Sequence, residues 1–440
     1  MGTDPAESAV AERRLRSDVF LTLGARVTAL FLNFVSSIII ARSLGASGRG
    51  SVAVAFALTL LLVQFGTLGL ATANPYFAAQ RRSAVNRILA NSLWLAAGLG
   101  ALLIVAGIVT KLLFPSLIGG LTWTQLGIAL AGIPAVLSVL FLQSLLLGVG
   151  RMIAYNVADL IVSAASVLAL AIGLLVFDFG VTGTLIILLG GQVASALTYF
   201  LLARRGIELT LRFKRILATE MLKYGFRIYV ATTLAFLVIR SDILLVNGFL
   251  GQREAGVYSV AVALGEALYL LPTVIGINLF ARVARGASDQ MSAEIFRSVF
   301  VLYGLVCILS VVLAGPLIRV FYGPEYSESI GLYYWLAPGI FSLGMLTILS
   351  HHFAGRGFPL QAMLVWFVGF AVNLVINLIF LKRSGTYIAS LSSSIAYTVL
   401  LALHVRLFAK DFGGYDVLRP RLGEVVRFVR IAFSREPSGA

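Results

Sequence analysis

Four charged side chains lie where the surrounding chain is apolar. Arg26, Arg240, Asp242 and Glu266 each fall within a mostly hydrophobic run, and an ionisable group in such a run is costly unless it meets a partner or a water-filled cavity. Their chemistry divides in two. The arginines are fixed cations for a polar cavity, and the carboxylates are groups that exchange a proton or a sodium ion and so couple a movement to a gradient. On a helix, Thr22, Ala29, Asn33 and Ser37 share the face of Arg26, which gives one polar or small stripe. Arg26 therefore has two readings: a cation lining a cavity, or a side chain snorkelling to the inner interface from a depth of about 10 Å. Arg240 and Asp242 point about 200° apart around a helix, so each needs a partner elsewhere. Glu266 lies near the middle of the next apolar run, with Ser259, Tyr269 and Thr273 on its face. It can pair with Arg240 across two helices, either as a structural brace or as the titratable half of a working site.

Gln64, Asn373 and Asn377 join Asn33 and Ser37 as candidate polar lining of a cavity. Gln143, Asn156, Asp159, Gln192 and Asn278 are further polar groups in apolar surroundings, where hydrogen bonding between helices is the commoner use of an amide. His351 and His352 are adjacent in sequence, point about 100° apart and have no third ligand nearby, so no metal site is expected. Cys307, the one cysteine, reads as a small buried hydrophobe. There is no G-x-x-x-x-G-K-[ST] and no carboxylate pair at helical spacing. No catalytic residue and no cofactor is expected, beyond H+ or Na+ as a coupling ion.

The elements that must carry these residues follow from composition. Of 440 residues, 59% are hydrophobic and 12% charged, with a mean hydropathy of +0.97, which argues against a soluble fold. About twelve runs are long enough to cross a bilayer as helices: residues 19–41, 51–73, 89–110, 123–147, 157–177, 182–203, 226–248, 256–280, 297–318, 330–350, 361–381 and 386–408. They are continuous rather than alternating, which excludes a closed barrel and predicts an all-α polytopic membrane protein. Pro75, Pro134, Pro272 and Pro338 mark bends, whether for a cavity or for packing alone. Most of the 34 basic residues fall in alternate loops, which predicts a multi-pass protein of the inner, cytoplasmic membrane with both termini cytoplasmic. The net charge of +15 is then explained by that bias and by anionic lipid heads, with no nucleic-acid partner.

Five segments follow: a cytoplasmic start over 1–18, a six-helix bundle over 19–203, a basic linker over 204–225, a second six-helix bundle over 226–408, and a basic amphipathic tail over 409–440. Six spans per half give both halves one orientation, so any repeat is a parallel one. Leu44, Gly45, Gly50, Val54, Ala55, Ala57, Leu58 and Thr67 recur as Leu250, Gly251, Gly256, Val260, Ala261, Ala263, Leu264 and Thr273, a constant offset of 206.

Two stretches carry a family resemblance. SIIIARSLGASGRG (Ser37 to Gly50) and RSDILLVNGFLGQREAGVYSVAVAL (Arg240 to Leu264) resemble the polysaccharide transporter family. These are the Wzx-type oligosaccharide-lipid flippases of the multidrug/oligosaccharidyl-lipid/polysaccharide (MOP) exporter superfamily. The resemblance implies a MATE-like fold, two parallel six-helix bundles around a central cavity. It also implies a substrate, undecaprenyl-diphosphate-linked oligosaccharide destined for O-antigen, capsule or exopolysaccharide, moved to the outer leaflet by alternating access. Arg26 and Arg240 would then hold the diphosphate, since guanidinium groups give multidentate donors to phosphate oxygens, and Glu266 or Asp242 would couple the ion. Membrane lipids, a polysaccharide polymerase and glycosyltransferases are the implied partners. A drug or cation antiporter of the same superfamily shares the plan but favours carboxylates. A flippase for lipid-linked peptidoglycan precursor usually carries two further spans, and a non-transporting scaffold for polysaccharide assembly would need no gated cavity.

Overall fold

The computed structural model describes residues 5–205, 212–357, 360–412 and 414–419, apart from the side chains of residues 5–23, Arg26, Arg227, Ala281 and Leu360. The regular elements among them are helical. The first seven are α1 (Pro5–Thr67), α2 (Leu70–Gln80), α3 (Val85–Leu113), α4 (Trp123–Ala131), α5 (Ile133–Gly148), α6 (Met152–Leu175) and α7 (Gly180–Arg204). Then come α8 (Arg215–Leu250), α9 (Gln252–Val283), α10 (Asp289–Leu317), α11 (Glu328–Gly355), α12 (Leu360–Ser384) and α13 (Tyr387–Asp411).

Eleven segments are long and apolar enough to cross a membrane, the first being Val27–Thr67 with 41 residues. At 1.5 Å per residue such a helix would measure about 60 Å, twice the hydrocarbon thickness. It is two crossings, divided at Gly45 (φ 64°, ψ −178°). The chain doubles back there: Arg49 Nη1 donates to the Ser37 carbonyl at 2.7 Å and to its hydroxyl at 3.0 Å, whereas twelve residues of straight helix would separate them by about 18 Å. Gly251, between α8 and α9, adopts the same conformation (φ 95°, ψ 176°). This region is open essentially to glycine alone, and the two glycines stand 206 residues apart, so the repeat offset extends to backbone geometry. The chain is a multi-pass membrane protein, and with the first segment counted as two its described residues hold the twelve crossings that hydropathy predicts.

Local sequence explains the other breaks. Thr122 accepts from the Gln125 amide at 3.2 Å while the Gln125 side chain accepts from the Thr122 amide at 3.1 Å, a capping box that starts α4. Pro134, at the first turn of α5, has no amide to give and divides α4 from α5 within the expected fourth span. Leu68 and Gly69 have positive φ, so the second crossing breaks into α1 and α2, whereas α9 continues through Pro272.

The chain forms two compact units, residues 1–233 and 234–440. The boundary falls within α8, and α8 begins at Arg215, inside the segment expected to be a linker. The reason is packing within the first unit. Asn91 exchanges two hydrogen bonds with the Lys214 backbone (2.8 and 3.1 Å), and Arg81 pairs with Glu220 at 2.8 Å. Tyr76 and Tyr224 stack at 4.2 Å, while Gly69 and Gly225 meet backbone to backbone. Tyr229 donates to the Phe65 carbonyl at 3.1 Å, and Gln64 donates to Thr233 at 3.1 Å.

In the second unit α11 is the central helix, buried along most of its length from Leu332 to Phe353. Its Gly339 lies against Ser394 and its Gly344 against Tyr303 and Pro272. Tyr303, Ile340, Ile348, Leu349, Phe353 and Phe408 form the core around it. After α13, the short turn Tyr415–Leu418 returns to α10, where buried Arg297 donates to the Val417 carbonyl. The expected amphipathic stretch from residue 420 onward lies outside the described residues.

Candidate functional site

Asp242 sits on α8 within the second unit, 2% exposed. Three other helices place polar atoms around its carboxylate. Tyr258 of α9 donates its hydroxyl at 3.2 Å, Asn377 of α12 donates its amide at 3.2 Å, and Ser393 of α13 donates its hydroxyl. Asn377 also donates to Ser392 Oγ at 2.8 Å and to Asn373 at its backbone (3.0 Å) and side-chain (3.3 Å) oxygens. Asn373 in turn donates to Ser393 at 3.4 Å. Helical spacing makes this possible: Asn373 and Asn377 stand four apart on one face of α12, and α13 presents the run Ser392, Ser393, Ser394.

Two oxygens in the neighbourhood, Asn377 Oδ1 and Ser390 Oγ, are buried without a hydrogen-bond partner. A carboxylate, an amide oxygen and hydroxyls together form a hard oxygen donor set, suited to a proton or a small alkali cation rather than to a soft metal. Among the described residues no group of three His, Cys, Asp or Glu could hold a metal ion.

Arg240 and Glu266 form a second polar feature of the same unit. Their ion pair closes at 2.5 Å between α8 and α9, with side chains 24% and 40% exposed. Arg240 and Asp242 therefore take separate partners, as their helical angle requires. Tyr397 of α13 and Tyr269 of α9 pack in one cluster of this unit. Tyr269 accepts from Thr347 at 2.9 Å.

The remaining sequence candidates are dispersed. Arg26 lies on α1 in the first unit, and its side chain is outside the described residues. Asn33 is exposed, Ser37 is tied to Arg49, and Gln64 to Thr233. Asn373 and Asn377, expected to line a cavity, are fully buried and serve the Asp242 network instead, because their amides reach the carboxylate and serines of neighbouring helices. His352 is buried with Nδ1 at 2.9 Å from Ser292 Oγ, and His351 Nδ1 lies 2.8 Å from the Thr347 carbonyl. In the first unit Asp159 accepts from the buried Tyr199 hydroxyl at 3.0 Å. Sequence reasoning missed Tyr258, Ser390, Ser392, Ser393 and Tyr397; the serine run within the last span was the available signal.

The fold has solved counterparts. A multidrug resistance MATE family transporter of the MOP superfamily, in an inward-facing conformation, superposes with a TM-score of 0.72 at 15% identity, over 89% of this chain and 98% of its own. The lipid II flippase MurJ, inward closed, gives 0.73 at 14% identity, over 96% and 94%. A MATE in complex with MaL6 gives 0.61 at 15% identity, over 90% and 95%. These likenesses establish the MATE-like, MOP-type fold. No curated protein sequence matches the chain. Residues 39–331, well over half of the sequence, match the profile of the polysaccharide biosynthesis proteins, and the chain belongs to that family.

Proposed function

We propose that the chain is a flippase that carries undecaprenyl-diphosphate-linked oligosaccharide from the cytoplasmic to the outer leaflet by alternating access, coupled to an ion. The observation that carries this reading is Arg240, a guanidinium well inside a span, partly exposed and, among the described residues, ion-paired to Glu266, whose side chain is more exposed. A charge pair whose side chains are partly exposed at that depth belongs beside water and polar ligand, since acyl chains would leave it unsolvated. Arginine suits the diphosphate because its donors match phosphate oxygens. Arg26 is the second cation in this reading, and the Asp242 network binds the coupling ion. Family membership and the lipid-linked substrate in the name of the MurJ neighbour support a lipid-linked saccharide as cargo. The inner membrane is the proposed location, with cytoplasmic termini and with polymerase and glycosyltransferases as partners.

Complementation tests it. In a strain lacking this chain, Arg240→Ala and Arg26→Ala should abolish polymer export at unchanged protein level. Full export by both variants would overturn the cationic site, and export-independent loss of drug resistance would point to an antiporter instead.

A further inference from the structure

Glu266 occupies the guanidinium that the proposed reading reserves for substrate. Its carboxylate lies 2.5 Å from Arg240 Nη1, and among the described residues no other ion pair reaches either group. Asp242, two residues from Arg240, is committed to Tyr258, Asn377 and Ser393 and faces away from the pair. The other titratable groups around the pair are Tyr397 and Asp242, with Tyr269 and His351 further along α9 and α11. None is a free cation, since His351 is engaged by the Thr347 carbonyl. A diphosphate arriving at Arg240 therefore meets an anion already in place, and leaves that anion without a counter-ion well inside α9 once it is displaced.

We infer that Glu266 is an internal competitor for the anion site at Arg240, and that a diphosphate binds there by displacing it while the freed carboxylate takes up one proton. The balance is simple. One Arg240 to carboxylate ion pair breaks, guanidinium to phosphate hydrogen bonds form, and the carboxylate oxygen gains a proton from the solution facing the site. When the headgroup departs, the proton is returned and the pair re-forms. An unpaired carboxylate beside an incoming anion would suffer both like-charge repulsion and desolvation, and protonation removes both. The inference rests on the reading of Arg240 as a diphosphate-binding cation.

The sign of the linkage is testable. The bound state holds one more proton, so affinity rises as pH falls, by up to about tenfold per pH unit where Glu266 is ionised in the empty protein. Full-length protein in nanodiscs is titrated calorimetrically with inorganic pyrophosphate as the probe, between pH 6 and 8. Buffers of different ionisation enthalpy are used so that protons are counted directly. Wild type should take up close to one proton more than Glu266→Gln, a difference in which the probe's own titration cancels. Glu266→Gln, lacking the competitor, should bind about two- to fivefold tighter at pH 6, by a margin that widens as the pH rises. Glu266→Asp, which keeps a carboxylate, should retain the uptake and guards against a folding defect in the glutamine variant. Equal proton counts in wild type and Glu266→Gln, with binding still lost in Arg240→Gln, overturn the displacement while leaving the anion site standing. Pyrophosphate binding that is absent, or indifferent to Arg240→Gln, overturns the anion site and the displacement with it.

Discussion

Asp242→Asn separates a cation-binding carboxylate from a structural one. Asparagine keeps the shape of the side chain and removes its charge, and one of its two ends becomes a donor. Asp242 accepts from Tyr258, Asn377 and Ser393. Bonds to a charged acceptor contribute about 1.5–3 kcal/mol in mutational series, against about 0.5–1.5 for neutral ones, which suggests a loss of about 3 kcal/mol over the three. Interhelical hydrogen bonds inside membrane bundles average only about 0.6 kcal/mol, so the smaller figure governs. Relief of the cost of a buried charge offsets part of it. The variant should fold, with a net change within about 2 kcal/mol. Its response to cations is where the effect appears. A ligand at a hundred times its Kd stabilises the folded state by about 2.7 kcal/mol. Thermal denaturation in detergent is followed over a sodium series balanced with choline, and separately over a pH series. Wild type is expected to gain stability with one of the two cations, and Asp242→Asn to stay flat in that series. A variant that tracks wild type in both series, or a wild type that responds to neither, refutes the argument that this network binds a cation.

Four further outcomes follow from the packing. Gly225→Ala would place a Cβ at 2.3 Å from the Gly69 carbonyl oxygen, a backbone contact with no side chain to yield; it should cost about 1–3 kcal/mol. Gly98→Ala, with open space around the new Cβ, should be neutral or stabilising by about 0.5–1 kcal/mol; paired melting curves check both. Gly251→Ala meets nothing within 4 Å yet forces alanine into φ 95°, so its loss of about 1–3 kcal/mol reports backbone strain alone. Asn91→Ala removes both hydrogen bonds to the Lys214 backbone and should speed amide exchange at the start of α8 relative to α3, as read by mass spectrometry.

The fold was largely legible before any coordinates. Each crossing must bury or expose some twenty apolar residues to lipid, and that requirement is written run by run. The doubling back at Gly45 was legible too, through its recurrence at Gly251. What hydropathy hid was the join at α8. The basic segment 204–225 looks like a solvated linker, yet its Lys214, Glu220 and Tyr224 each find a partner in the first unit. The pairing of Arg240 with Glu266 was within reach, because mid-span charges have few options. The role of Asn373 and Asn377 was not, because an amide facing a cavity and an amide facing a buried carboxylate have the same local pattern.

By itself, the sequence determined what depends on neighbours along the chain: the length and polarity of each crossing, the glycines where it must turn, and the mid-span charges that demand an explanation. The tertiary structure alone decided which groups answer that demand. The partners of Asp242 stand 16, 135 and 151 residues away, brought together by helices whose own periodicity says which face they bury but not which helix they meet. A buried carboxylate is shaped by its surroundings, and those exist only once α8, α9, α12 and α13 have packed.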